Sequence, residues 1–397
     1  MARLRWLLEG DIAVSSLRIS RRYLAILTIV ALVKLLLAAI VEALGPSFWM
    51  NFSRVEPLPQ NQIFLTGGVP HWVYTFLGWD SAWYASIAAH GYSFSGQSYA
   101  FLPGFPIFTQ LLQPLFSGTL VALVTCSLIV GLLWVPLYQS VAEHYIGRDA
   151  AMVSALVFAL SPFTLLFTTV AYSEGLFLLV TLAAWKLYLD ERYLPASVAA
   201  GVAALIRIPG FLTVLPMFLT LFSSRKSGSR RRAFLVTLPT LVALLSWFAY
   251  MDLSAGGPLA IIHTTEWSSL YNLPTYISTI LPWSGAAALS FPGSGLEIHW
   301  LLPISIWSSI LLPPLLAWRV ARIERALAIY CFAYIASIFA FGGVVSYPRF
   351  MAILFPLWLP FSELVARKRF ITPVLVAASV ASCLALWLGF VSGVFVG

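Results

Sequence analysis

The side chains that could do chemistry in this 397-residue chain are a few acids, arginines and histidines set in an apolar sequence. The candidates are Asp80, His90, Glu174, Arg207, His263, Glu266 and Arg349. A carboxylate can accept a proton from an attacking hydroxyl group, and the guanidinium group of arginine matches phosphate oxygens in bidentate geometry. Acids and arginines that meet in the fold would therefore suit a hydroxyl acceptor and a phosphate-bearing substrate.

The strongest candidates also have purely structural explanations. Asp80 precedes a helix-like run and could be an N-cap that accepts a backbone N–H. Arg207 could satisfy carbonyl groups freed at a Pro/Gly break, and Arg349 could lie along apolar surface with only its head in water. Glu174 could be a polar turn residue or the packing partner of an arginine. The histidines and Glu266 are weaker candidates, because no HExxH or DxD spacing suggests a metal site.

The composition excludes a soluble globular domain. Hydrophobic residues make up 60% of the chain and charged residues only 10%, against about 25% charged residues in a soluble domain. The mean hydropathy is +0.90. The three cysteines, Cys126, Cys331 and Cys383, lie in apolar runs without the spacing of a disulfide framework or a zinc site. We therefore predict an all-α polytopic membrane protein with a single membrane domain over residues 1–397.

The elements that must position the candidates are apolar helices, about eleven in this prediction. They cover roughly residues 23–44, 119–142, 150–171, 175–189, 194–223, 233–252, 300–318, 326–345, 350–366 and 371–393, with 194–223 counted as two short helices. Those two are bent at Arg207–Gly210, where proline and glycine break the helix. A further helix, beginning near Asp80, is expected to lie along the membrane interface.

Basic residues orient these helices, because cytoplasmic segments are enriched in Lys and Arg. The N-terminal residues 1–22 are predicted to be cytoplasmic, with outer loops at 45–118 and 253–299 and the C-terminus outside. All but four of the 23 basic residues then fall on the inner side; the four are Lys34, Arg54, Arg207 and Arg349. The net charge of +8 therefore indicates topology and not nucleic-acid binding, and the seven candidates gather at the outer face.

An aromatic stretch with Gly and Pro residues surrounds Asp80. Its pattern, Trp79-Asp80 with Trp83-Tyr84, Ile87-Ala88 and Gly91-Tyr92, then Ala100–Pro106, resembles the signature of the PIG-V-type mannosyltransferases. Further stretches resemble the same family in the same order: Ser161-Pro162 through Ala171–Glu174, Ala203–Arg207 with Gly210, Tyr347–Phe350 with Phe355-Pro356, and more faintly Gly257–Ala260 with Trp267. The similarity covers nearly the whole chain.

This resemblance implies a GT-C glycosyltransferase fold and an inverting transfer of mannose. The implied donor is a polyprenyl (dolichyl-type) phosphate-mannose, the acceptor a glycolipid or glycan, and the site lies on the non-cytoplasmic face. Asp80 matches the family's catalytic aspartate, and Arg207 and Arg349 are expected to bind the donor phosphate. The remaining residues expected to bind or orient substrate are Trp79, Trp83, Tyr84, Tyr172, Glu174, His263 and Glu266.

No cofactor is expected, and the spacing of the acids gives no support to a divalent metal. The expected partners are the lipid-linked donor, the acceptor and membrane lipid; an accessory subunit leaves no mark in the sequence. The protein would lie in the cell membrane of a prokaryote or the endoplasmic reticulum membrane of a eukaryote. Two alternatives remain open: a lipid-linked sugar transporter, although no internal repeat is visible, and a GT-C transferase of another sugar or acceptor.

Overall fold

The computed structural model describes residues 11–14, 17–44, 62–65, 69–255, 257, 289–291, 296–298, 301–340, 346–361 and 371–392. Nearly all of them are helical. The helices are α1 Arg21–Leu44, α2 Gln62–Leu65, α3 Asp80–His90, α4 Gly104–Leu112, α5 Thr119–Ile146, α6 Arg148–Ala159, α7 Pro162–Phe167, α8 Glu174–Leu189, α9 Tyr193–Ile206, α10 Val214–Ser223, α11 Ser229–Ala255, α12 Leu301–Val320, α13 Arg325–Ala340, α14 Tyr347–Ala352 and α15 Ile371–Val391. Short 3-10 turns lie at His71–Phe76, Gly96–Ala100, Gln113–Leu115, Ile208–Thr213 and Phe355–Leu357.

Two small antiparallel hairpins are the exceptions to the helical architecture. β1 (Asp11–Val14) pairs with β2 (Leu17–Ser20), and β3 (Leu289–Phe291) pairs with β4 (Leu296–Ile298). Each hairpin is a sheet of its own. The predicted helical membrane architecture is confirmed, with these two hairpins added to it.

Four helices in the described part of the chain, α1, α5, α11 and α15, are long and apolar enough to cross a membrane. A span needs about 20 apolar residues, and a helix satisfies its own backbone groups in a medium without water. The outward faces of α1 and α11 are correspondingly apolar: Leu35 is 67% exposed and Leu245 66%. The chain is therefore an integral membrane protein, while the crossing number and the side of each terminus stay predictions.

The predicted break at Arg207–Gly210 is confirmed, since α9 ends at Ile206 and α10 begins only after a 3-10 turn. Two other predicted helices were wrong. The run 150–171 is divided into α6 and α7 at Pro162, and the run 350–366 is interrupted at Pro356. Proline lacks an N–H and disfavours a helical conformation in the residue before it. Of the predicted outer loop 253–299, only a few residues are described.

The helices that carry the candidate residues pack side by side. α8 lies between α5 and α9, α9 also packs against α11, and α1 crosses α5. α7 packs against α15 and α14. This arrangement brings the first residue of α8, the end of α9 and the short helix α14 to one region of the molecule.

Candidate functional site

Asp80 begins α3 at a sharply turned backbone. Trp79 has φ 48° and ψ −113°, a left-handed φ that is unusual for a bulky residue and is often found at functional sites. Ser81 Oγ accepts the N–H of Gly78 at 2.6 Å, and the Tyr172 hydroxyl oxygen accepts the N–H of Asp80 at 3.2 Å. The N-cap residue of this helix is Trp79 and not Asp80, and the Asp80 carboxylate lies against an arginine.

Arg207 is placed by the break between α9 and α10. Its backbone is extended, with φ −147° and ψ 142°, and its N–H donates to the carbonyl oxygen of Ala203 at 3.2 Å. The chain then folds back tightly, so that a Cβ at Gly210 would lie 2.1 Å from that same oxygen. Only glycine fits at this position, and the turn directs Arg207 into the protein.

Four charged side chains meet in the interior, and we call them the charged cluster: Asp80, Glu174, Arg207 and Arg349. Arg349 Nη1 lies 2.8 Å from Asp80 Oδ2, and Arg349 Nε lies 2.9 Å from Glu174 Oε1. Arg207 Nη1 lies 2.7 Å from the same Oε1. Glu174 thus bridges the two arginines, and the cluster as a whole carries no net charge.

The members of the charged cluster differ in their access to solvent. The Glu174 side chain is 0% exposed, those of Arg207 and Arg349 6% and 7%, and that of Asp80 15%. Buried charges are costly unless they are paired, which explains why two acids accompany two arginines. Asp80 is the member that a substrate can reach most easily.

Hydroxyl groups and aromatic rings surround the cluster. Arg207 Nη1 donates to Ser173 Oγ at 3.0 Å, and the Tyr84 hydroxyl lies 2.9 Å from that oxygen. The Arg207 guanidinium lies 4.7 Å from the centre of the Phe350 ring, and that of Arg349 lies 5.0 Å from the Tyr172 ring. Cations are attracted to the faces of such rings, so the rings help to stabilise the buried arginines.

The Tyr172 phenol and the Arg349 guanidinium lie outside the four long apolar helices and keep their protons. Burial raises the pKa of Tyr172 well above its ordinary value, and the Asp80 carboxylate adds to the rise. Burial lowers the pKa of Arg349, but the carboxylates of Asp80 and Glu174 outweigh that effect and leave it raised. Arg349 therefore stays a cation next to the acids.

The structure brings six of the predicted site residues together: Asp80, Tyr84, Tyr172, Glu174, Arg207 and Arg349. Trp83 is 5% exposed and stacks on Phe101, with ring centres 5.3 Å apart, so it packs in the core beside the site. Trp79 is 39% exposed and lies at the surface next to Asp80. His263 and Glu266 lie outside the described residues.

Sequence reasoning did not select Ser173, Phe350 or Lys34 as site residues. Ser173 and Phe350 adjoin Glu174 and Arg349 in the sequence, and they lie in the family-like stretches Ala171–Glu174 and Tyr347–Phe350. Lys34 stood out as a basic residue within a spanning helix, without an indication of its partners.

Each acid of the charged cluster is already paired with an arginine. Among the described residues, no three His, Cys, Asp or Glu side chains gather where they could hold a metal ion. Arg207 Nε is buried without a hydrogen-bond partner in the described part of the chain. A buried donor of this kind is expected to find a partner, and an anionic ligand would supply one.

Two apolar cavities adjoin the segments that carry the cluster. One of about 400 Å³ lies between α3, α4 and α11, and its wall includes Ile87, Trp247 and Leu205, two residues before Arg207. Another of about 200 Å³ lies between α7, α12 and α14, where Pro348 and Met351 flank Arg349. Each cavity is therefore lined by residues one or two positions away from an arginine of the charged cluster.

Apolar spanning helices make this chain an integral membrane protein, and part of it matches a mannosyltransferase family. The family is described as Mannosyltransferase (PIG-V), and its model matches residues 24–214, just under half of the chain. The predicted resemblance to the PIG-V-type mannosyltransferases is thereby confirmed. The matched stretch contains Asp80, Glu174 and Arg207, whereas Arg349 lies beyond it. Comparison with curated proteins gives no match.

Similar solved structures include the oligosaccharyltransferase of Archaeoglobus fulgidus in its apo form, at 13% identity and a TM-score of 0.46, over 94% of this chain and 56% of that one. ArnT from Cupriavidus metallidurans is similar in its apo state, at 17% identity and a TM-score of 0.44, over 84% of this chain and 75% of that one. ArnT bound to undecaprenyl phosphate gives 17% identity and a TM-score of 0.43, over 81% and 74%. This chain thus spans about half the length of the oligosaccharyltransferase, and similarities at these scores carry no argument about activity.

Proposed function

We propose that this protein is a GT-C enzyme that transfers mannose from a polyprenyl (dolichyl-type) phosphate-mannose to a glycolipid or glycan acceptor, with inversion, on the non-cytoplasmic face. The observation that carries the proposal is the contact of 2.8 Å between Asp80 and Arg349 inside the charged cluster. The contact supports the proposal because a carboxylate can accept a proton and a guanidinium group can bind phosphate, and such a transfer needs both groups.

In the proposed reaction, Asp80 accepts the proton of an acceptor hydroxyl. The hydroxyl oxygen forms a bond to the anomeric carbon, while the bond from that carbon to the phosphate oxygen breaks and its electron pair leaves with the polyprenyl phosphate. A single displacement of this kind inverts the configuration. A positioned general base typically contributes about 10²–10⁴-fold to a rate.

Charge moves from one partner of Arg349 to another as this reaction proceeds. Asp80 loses its negative charge when it takes the proton, and the departing phosphate gains one. Arg349, paired with Asp80 before the reaction, can then pair with the phosphate. Arg207 offers to the same anion its Nε–H, which has no hydrogen-bond partner among the described residues. One such electrostatic contact is worth about 10²–10³-fold in rate. Glu174 holds both arginines in place throughout.

Apolar surroundings suit a lipid-linked donor that stays in the membrane. The cavity of about 400 Å³ beside α3 has room for part of an isoprenoid chain, and membrane lipid would fill it in the resting enzyme. The proposed mechanism uses no cofactor and no metal ion. The proposal that the site lies on the non-cytoplasmic face rests on the distribution of Lys and Arg along the sequence, because cytoplasmic segments are enriched in them.

The test is a transfer assay in membranes with radiolabelled polyprenyl-phosphate-mannose and total lipid extract from the host. Wild type, Asp80→Asn and the matched control Asp252→Asn are compared; Asp252 is exposed on α11. We expect label in a larger glycolipid or glycan with wild type and control, and a fall of about 10²–10⁴-fold in Asp80→Asn.

Full activity of Asp80→Asn would refute its role as the base. No transfer by wild type, with donor still bound by the purified protein, would refute the transferase proposal and favour a carrier of lipid-linked sugar. Transfer from a polyprenyl phosphate carrying a different sugar, with none from the mannose donor, would correct the sugar and keep the mechanism.

A further inference from the structure

Lys34 is a buried lysine that the proposed reaction does not use. It lies within the spanning helix α1 and is 4% exposed. Its Nζ donates to the carbonyl oxygens of Gly131 at 2.7 Å and Thr168 at 2.8 Å, and to Thr168 Oγ1 at 3.0 Å. These bonds use all three donors of an ammonium group. A lysine inside a membrane segment is costly, and such residues are usually kept for function.

The acceptors of Lys34 lie at the start of the turn that leads to the charged cluster. Thr168 is the C-cap residue of α7, so its carbonyl oxygen lies at the end of that helix, where a hydrogen-bond donor is favourable. Thr168 Oγ1 donates its own proton to Thr164 and accepts from Lys34. Six residues further along the chain is Glu174, the bridge between the two arginines.

The other acceptor, Gly131, contacts both ends of this turn. A Cβ at Gly131 would lie 1.8 Å from the Thr168 carbonyl oxygen and 3.1 Å from Lys34 Nζ. A Cβ at Gly175, the residue after Glu174, would lie 3.1 Å from the Gly131 Cα. The backbone of α5 therefore packs against residue 168 on one side and against residue 175 on the other, with Lys34 bonded at the junction.

We propose that Lys34 is a positioning residue for the charged cluster. Through Gly131 and Thr168 it holds the turn 168–175, and that turn presents the Tyr172 hydroxyl to Asp80, the Ser173 hydroxyl to Arg207 and the Glu174 carboxylate to both arginines. The inference rests on the proposed function for its kinetic consequence, but its structural part can be measured without any activity.

The test compares Lys34→Met with Leu37→Met, a control at a buried apolar position on the same helix. Amide hydrogen exchange is measured on the full chain in detergent, together with kcat and KM for polyprenyl-phosphate-mannose. We expect exchange in 168–175 to rise at least about tenfold in Lys34→Met alone, with exchange in α11 unchanged. A misplacement of about 1 Å can cost about 10²-fold, so kcat is expected to fall about 10–100-fold while KM stays near the wild-type value.

Unchanged amide exchange in 168–175 of Lys34→Met would overturn the proposal. A rise in exchange that extends equally to α11 would also overturn it, and so would a rise confined to 168–175 without a loss of kcat. If Lys34→Met does not fold, the variant Thr168→Val is used instead, because it removes one of the three acceptors of Lys34. Amide exchange in 168–175 is then expected to rise by a smaller factor. No rise in exchange there would overturn the proposal. If wild type transfers no sugar, the proposed function fails, and the exchange data still decide whether Lys34 holds the turn.

Discussion

Replacing Glu174 by Gln is expected to destabilise the protein more than replacing Asp80 by Asn. The Glu174 side chain is 0% exposed, and its Oε1 lies within 2.9 Å of nitrogen atoms from both arginines. Glutamine keeps the shape but removes the charge, so the cluster changes from neutral to one net positive charge in the interior. Removing one partner of a buried ion pair typically costs about 3–5 kcal/mol, a large part of a total stability of about 5–15 kcal/mol.

The contrast with Asp80→Asn makes this prediction specific. Asp80 is more exposed than Glu174, and among the described residues its carboxylate forms an ion pair with Arg349 alone. Arg349 keeps its contact with Glu174 when Asp80 is neutralised. Asp80→Asn is therefore expected to lose transfer activity at near wild-type stability, and Glu174→Gln to lose both. The two acids separate in this way because Asp80 is partly exposed and pairs with one arginine, whereas Glu174 is buried and pairs with both.

The assay is unfolding by SDS in mixed micelles, read as the free energy of unfolding. The matched control is Glu143→Gln on α5, where a partly buried carboxylate accepts one hydrogen bond from Tyr23 at 3.0 Å. Such a bond is worth about 1 kcal/mol, so the control should stay within that range. If Glu174→Gln costs no more than Glu143→Gln, the bridge does not stabilise the fold and the reasoning is refuted.

Two further predictions concern contacts that only one residue type can make. Arg349→Lys is expected to lower the transfer rate by about 10²-fold, because a single ammonium cannot reproduce contacts made from both Nη1 and Nε; an assay of kcat that shows less than a threefold loss would contradict this. Gly131→Ala should reduce the yield of folded protein, since its Cβ would lie 1.8 Å from the Thr168 carbonyl oxygen. The yield of folded protein is read from size-exclusion profiles, with Gly96→Ala as the control, because a Cβ at Gly96 meets nothing within 4 Å. Equal yields of the two variants would show that α5 can move away from Thr168 and would contradict the prediction.

Several features of this protein could be determined from the amino-acid sequence alone. The membrane class follows from long apolar runs, because the bilayer demands about 20 such residues in each span. The break at Arg207–Gly210 follows from proline and glycine, whose effects on the backbone are local. The family resemblance depends on motif residues that are read directly along the chain. These are all properties of short, contiguous segments.

Other features depend on residues far apart in the chain, and only the tertiary structure decided them. The sequence placed Asp80, Glu174 and Arg349 at one face, but it did not show that Glu174 bridges the two arginines or that Arg349 contacts both acids. It marked Lys34 as unusual without showing that it binds Gly131 and Thr168. Such contacts are decided by how helices pack against each other, because burial forces each charge in the interior to find a partner. The partner is whichever group the packing brings within reach.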